Sequence, residues 1–207
     1  MREFGFYFDA TRCTGCKTCM LACKDYYGLG AELAFRQVYE YELRGGWTRD
    51  AQGCWSVEGG TYYVSTSCQH CAEPACMKVC PTGAMHKEAD GTVCVDVDRC
   101  IGCGYCHLSC PYNAPKVDEV VGHSVKCTGC HDRLVAGEDP ICIAACPQRA
   151  LEYGEYGELA GREGVVRSLA PLPSEGVTDP HLAIRPPHHA AASGSSQGFV
   201  VNRDEIV

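Results

Sequence analysis

Residues 100–111 read CIGCGYCHLSCP: four cysteines in eleven residues, the first three at three-residue steps, with a proline closing the run. A tetrahedral zinc site draws two cysteines from each of two separated C-x2-C knuckles, so the third cysteine of C-x2-C-x2-C would be left without a partner. A cube of iron and sulfide solves that geometry. Three of its irons each take one thiolate from a single tight loop, and the fourth takes its thiolate from elsewhere in the chain.

The run matches C-x2-C-x2-C-x3-C-P, the bacterial ferredoxin spacing in which the fourth cysteine serves the neighbouring cluster, at every specified position. Three further groups vary the plan. CTGCKTCMLAC keeps the spacing with Lys24 in the proline's place, CQHCAEPACMKVCP widens the second gap, and CTGCHDRLVAGEDPICIAACP inserts eleven residues between its second and third cysteines. Each still ends C-x3-C.

The chain is 207 residues long and carries 18 cysteines, of which 16 fall in these groups: Cys13, Cys16, Cys19, Cys23; Cys68, Cys71, Cys76, Cys80; Cys100, Cys103, Cys106, Cys110; and Cys127, Cys130, Cys142, Cys146. Only Cys54 and Cys94 are left over. A disulfide scaffold would be a short secreted chain, and MREFGFYFDATRC has neither the apolar core nor the cleavage site of a signal peptide. Cys94 alternates with Val93, Val95 and Val97 and reads as a small apolar strand residue rather than a ligand.

DATRCTGCKTCMLAC and DVDRCIGCGYCHLSC share one pattern, and PACMKVCPTGAM and PICIAACPQRAL share another, so a two-cluster unit is duplicated. Gly15, Gly102 and Gly129 supply the torsions and close approach that a loop around a cube requires. FGFYFD at 4–9 and TYYVSTS at 61–67 read as strands leading into cysteine groups, and GTVCVDVD as an alternating strand after a turn. Met20–Lys24 and His107–Ser109 read as single helical turns, the latter stopped by Pro111. The fold class is α+β: two ferredoxin-like two-cluster modules with an inserted hairpin and a long irregular C-terminal tail.

Nineteen residues separate Cys80 from Cys100, a strand-turn-strand link that makes the second and third groups natural partners. Residues 61–110 then form one module, and 1–25 with 111–153 the other. Each site takes three thiols from one group and one from its partner: Cys13, Cys16, Cys19 with Cys146; Cys127, Cys130, Cys142 with Cys23; Cys68, Cys71, Cys76 with Cys110; Cys100, Cys103, Cys106 with Cys80.

RCTGCKTCMLACKD, FRQVYEYE, CQHCAEPACMKVCPTGAMHK, DRCIGCGYCHLSCPYNAP, KCTGCHDRL, PICIAACPQRALE and APLP together make the chain resemble the four-cluster ferredoxin-type subunits of molybdopterin oxidoreductases, most closely the DMSO reductase iron-sulfur subunits. In relatives of the nitrate reductase type a tryptophan stands where this chain has Cys103, and a three-iron cluster results. The resemblance therefore implies four 4Fe-4S clusters here, held by the sixteen grouped cysteines. It further implies a molybdopterin-containing catalytic partner, an integral membrane subunit that exchanges electrons with quinol, and a role in anaerobic respiration. Such subunits fold in the cytoplasm and join a membrane-associated complex, in some cases exported with a signal-bearing partner. The module of groups one and four is expected to face the molybdenum subunit, and that of groups two and three the membrane.

No phosphate-binding, dinucleotide or H-E-x-x-H motif occurs, so the chain is expected to conduct electrons without a catalytic site of its own. The alternatives are a soluble polyferredoxin shuttle and a zinc-bound module. A net charge of −8 argues against a nucleic-acid partner, and no apolar run approaches the length of a membrane span. Arg12, Lys17, Lys24, Lys78, Arg99, Lys126, Arg133 and Arg149 lie near ligands and either favour reduced clusters or are ordinary solvated charges. Residues 26–60, with FRQVYEYELRGGW, read as an insertion forming partner surface or a hairpin over its own core. Residues 154–207 read as an extended tail that seldom packs on itself and wraps the catalytic partner. His181, His188 and His189 read as polar surface rather than a metal site.

Overall fold

Each cysteine group sits on a loop that a short strand enters and a short helix leaves. The computed structural model describes residues 3–45, 47–57 and 59–207. Met1 and Arg2 of the expected first module, and Gly46 and Glu58 of the expected insertion, lie outside the described residues.

In chain order, β1 (Phe4–Asp9) leads through the first group to α1 (Thr18–Tyr26). Then come β2 (Gln37–Leu43), β3 (Trp47–Arg49), β4 (Trp55–Val57) and β5 (Thr61–Thr66), which delivers the second group to α2 (Ala75–Lys78). The hairpin of β6 (Met85–Lys87) and β7 (Val93–Val95) precedes the third group and α3 (Tyr105–Ser109). A second hairpin, β8 (Lys116–Asp118) and β9 (His123–Val125), precedes the fourth group with α4 (His131–Val135) and α5 (Ile141–Ala144). β10 (Leu151–Glu155), α6 (Tyr156–Ala160), β11 (Leu182–Arg185) and β12 (Gly198–Val200) complete the chain. Mixed short helices and small sheets make this the expected α+β, ferredoxin-like fold.

β1 is the centre of a three-stranded sheet, antiparallel to β10 and parallel to β11, with Phe8 opposite Leu151 on one side and Ile184 on the other. Phe6 and Phe8 enter the main core beside Val38, Val64 and Ile184, while Tyr7 packs on the other face with Leu159 of α6. A strand covered on both faces reads as a continuous apolar run rather than an alternation, which is why FGFYFD is so uniformly hydrophobic.

The second sheet has β2 between β5 and β12. Val38, Tyr41, Tyr62 and Val64 point into the same core, and Tyr62 Oη donates to Ala170 O at 2.7 Å. The expected insertion is therefore split. Its β2 half is core, and its β3–β4 hairpin stands out with Trp55 62% and Val57 50% exposed.

The tail departs from expectation. It is irregular, but it packs on the rest of the protein: β11 joins the first sheet, β12 joins the second, and Leu169, Leu172, Ala183, Ile184 and Ala191 are buried. LAIR is too short, and too fully buried, to show a period, and the prolines around it read as linker. His181, expected at the surface, is likewise buried against Tyr156. Among the described residues no helix is long and apolar enough to cross a membrane.

Candidate metal centre

The structure gathers the grouped cysteines into four sets, here called cradles. Cys13, Cys16, Cys19 and Cys146 line one hollow. In the second cradle the thiols whose charges act on Cys23 are Cys127, Cys142 and Cys130. Cys68, Cys71, Cys76 and Cys110 line the third hollow, and Cys80, Cys100, Cys103 and Cys106 the fourth. The three hollows are near-equal in size. Among the described residues, no three His, Cys, Asp or Glu side chains converge closely enough to hold a single ion. Cys54 is exposed in the β3–β4 hairpin and Cys94 is half-buried on β7; neither lines a hollow.

The C-x3-C endings explain how neighbouring cradles are coupled. Cys19 and Cys23 both lie on α1, on one face and about 6 Å apart along the axis, yet they enter the first and second cradles respectively. Cys142 of α5 and Cys146 just beyond it repeat this in mirror order, and α1 packs against α5. Cys76 and Cys80, at α2, and Cys106 and Cys110, at α3, divide in the same way between the third and fourth cradles. The second and third cradles meet where Cys23 and Cys127 pack with Cys68, Phe35 and Ala114. Each cradle thus borders the next.

The loops share one backbone device. Gly15, Gly102 and Gly129 adopt φ of +68°, +65° and +70°, and His70 occupies the equivalent place in the second group at +46°. Successive N–H groups in such a turn face inward, as a concavity for negative charge requires. At Gly15 space is also limiting: a Cβ would lie 2.3 Å from the Tyr63 ring.

Comparison with known proteins bears directly on these loops. Residues 60–156 match the 4Fe-4S dicluster domain family and residues 10–28 a 4Fe-4S binding domain. Over 206 residues, covering the whole of both proteins, the sequence is 53% identical to the B subunit of anaerobic dimethyl sulfoxide reductase from Haemophilus influenzae. It is 49% identical to the corresponding B subunit from Escherichia coli K12, covering 99% of this protein and 98% of that one. The protein belongs to the family of dimethyl sulfoxide reductase iron-sulfur subunits. The B subunit of polysulfide reductase from Wolinella succinogenes is a more distant relative, 34% identical over 89% of this protein and 95% of its own length. As a member of this iron-sulfur family, the protein is an electron-transport subunit of a reductase.

The residues of this iron-sulfur subunit fit 4Fe-4S cubes. Backbone N–H groups of Gly129, Ala150, Ser124 and Met85 donate to the sulfurs of Cys127, Cys146, Cys100 and Cys80 at 3.3–3.4 Å. Burial pushes the Cys13 thiol up to about 11 and those of Cys71, Cys76 and Cys127 to about 12. Buried thiols of this kind become thiolates when metal charge displaces their protons. Cys16 departs from this pattern: it is exposed, and the Thr18 hydroxyl holds its thiol below the ordinary range. Among the described residues, Arg36 Nε and His70 Nε2 are buried without protein partners, as donors facing a cluster would be.

Of the eight cations near ligands, Lys126 alone is buried. Lys17, Lys78 and Arg133 pair with Glu205, Glu73 and Glu138 at the surface. Sequence reasoning missed Arg36, which lies thirteen positions from the nearest ligand, Cys23, with no local signal. It also missed His70 and Ser124. Aligning CQHC with CTGC and CIGC places His70 in the glycine position and could have found it.

Proposed function

We propose that each cradle holds one 4Fe-4S cluster on its four cysteines, so that this subunit relays electrons between a molybdopterin-containing catalytic subunit and a quinol-oxidising membrane subunit. The observation that carries this is the pattern of exposure. Cys16 of the first cradle and Cys103 of the fourth are exposed, whereas all four thiols of the second and three of the four in the third are buried. A relay needs two accessible ends and a sealed middle.

When bound, each cluster supplies one-electron storage. The protein holds the thiolates, donates N–H groups to them and keeps water from the inner cradles. Val97, Ile101, Tyr105 and Leu108 are 51–79% exposed around the fourth cradle, an apolar collar suited to a membrane-embedded partner. Around Cys16 the surface carries Arg12 and the Lys17–Glu205 ion pair, which suits the catalytic partner. Residues 1–25 with 111–153 then act as the module nearer molybdenum, and 61–110 as the module nearer the membrane. The complex sits at the membrane surface, reached from the cytoplasm with its partners.

Gentle isolation tests this. The subunit is expected to co-purify with a molybdenum-containing subunit and with iron and spin counts for four 4Fe-4S clusters. A free iron-loaded monomer would instead make it a soluble shuttle, and a colourless zinc protein would sink both.

A further inference from the structure

Two cations are buried at the junctions of the cradles. Arg36 is 2% exposed; it donates to Ser65 Oγ at 3.1 Å and Ser67 Oγ at 3.0 Å, lies over the Phe6 ring at 4.8 Å, and leaves Nε unpartnered. The thiols within its electrostatic reach are Cys142, Cys19, Cys127 and Cys23, that is, one from the first cradle and three from the second. Lys126 is 4% exposed and donates to Cys127 O, beside the second cradle, and to Val93 O, in the wall of the third. Its reach takes in Cys68 and Cys76 of the third cradle, Cys127 of the second and the ungrouped Cys94 on β7.

Among the described residues neither cation forms an ion pair with a carboxylate. Burying a charge against neutral hydroxyls and carbonyls alone is costly, so each requires an anion nearby. The thiolate-bearing cradles on either side provide it. Lys116, also buried, borders the open groove between residues 27–35 and the β8–β9 hairpin and acts on a single thiol, Cys110. The junction of the third and fourth cradles is different. Cys76, Met85, Val93 and Cys106 fill it with Met77 and Val95; Lys126 reaches its third-cradle side at the Val93 carbonyl, and the thiols named as acting on Arg36 and Lys126 include none of Cys80, Cys100, Cys103 and Cys106.

We infer that Arg36 and Lys126 are junction cations that favour the reduced state of the clusters they separate, Arg36 between the first and second and Lys126 between the second and third. This rests on the four-cluster function proposed above. Each added electron makes a cluster more negative, and a fixed buried cation stabilises that charge without screening by salt. The second cluster, flanked by both, gains most. The fourth gains from neither.

The test is potentiometric EPR titration of the iron-loaded complex, with signals assigned by Cys→Ser variants of one cradle at a time. Arg36→Gln is expected to lower the reduction constants of the first and second clusters by tenfold or more, 59 mV per decade for one electron, and Lys126→Gln those of the second and third. The fourth should not move, and Arg36→Lys should restore most of the first shift. Unchanged potentials in Arg36→Gln, or an equal shift at the fourth cluster, would overturn the inference. If Arg36→Gln fails to retain iron, retention by Arg36→Lys supports a need for charge, and loss from both overturns it. A wild-type complex lacking iron for four clusters would count against the proposed function instead.

Discussion

Cys19 and Cys23 stand one helical turn apart on α1, yet their thiols line different cradles. The same division separates Cys106 from Cys110, and it makes the last cysteine of each group part of its neighbour's site.

Cys110→Ser should therefore remove the cluster of the third cradle, with Cys68, Cys71 and Cys76, and spare that of Cys100, Cys103 and Cys106. Iron content and EPR of the purified complex report which signal disappears. Loss of the fourth cradle's signal alone would contradict the division.

Gly15→Ala should destabilise the first loop by about 2–5 kcal/mol, combining a left-handed torsion of about 1–2 kcal/mol with overpacking of about 1–3. Because the clash is with the Tyr63 ring, adding Tyr63→Ala should relieve the steric part and leave the torsional part. Unfolding of the two variants, separately and together, measures the coupling.

Ile184 is fully buried in β11, so Ile184→Ala should cost about 2–5 kcal/mol through lost contacts and a cavity. Val177, 57% exposed in the same tail, should tolerate alanine within about 0.5 kcal/mol. Equal thermal stability of the two variants would mean that the tail does not support the core.

Lys24 donates to Ala31 O at 2.9 Å at the exposed end of α1. Lys24→Gln should leave every cluster potential unmoved, since water and salt screen an exposed charge. A shift comparable to that of the Arg36 variant would show that burial is not what distinguishes the two.

Leu108 is 79% exposed on α3, the helix that carries Cys106 of the fourth cradle. Leu108→Glu should reduce recovery of the complex in the membrane fraction while iron content and the molybdenum subunit's association stay unchanged. Release from the catalytic subunit instead would reverse the proposed orientation.

Much of the site was legible because cluster chemistry is written in local spacing. The C-x2-C-x2-C runs, the glycines before the second cysteine of three of the groups and the β1 and β5 strands are all properties of a few adjacent residues. The C-terminal tail was not legible: LAIR gains its meaning only when it lies beside β1, and four apolar residues among prolines carry no period. His181 was misjudged for the same reason, since its burial comes from Tyr156 and the first sheet.

By itself, then, the amino-acid order determined how many thiols there are, how they are grouped, and that each helix turn offers one thiol to each of two sites. The tertiary structure decided which surfaces are open and which charges are sealed in. It left Cys16 and Cys103 at the outside, folded the tail into both sheets, and enclosed Arg36 and Lys126 between cradles. Spacing along a sequence is local, but burial depends on what distant segments cover, and that exists only once the protein has closed on itself.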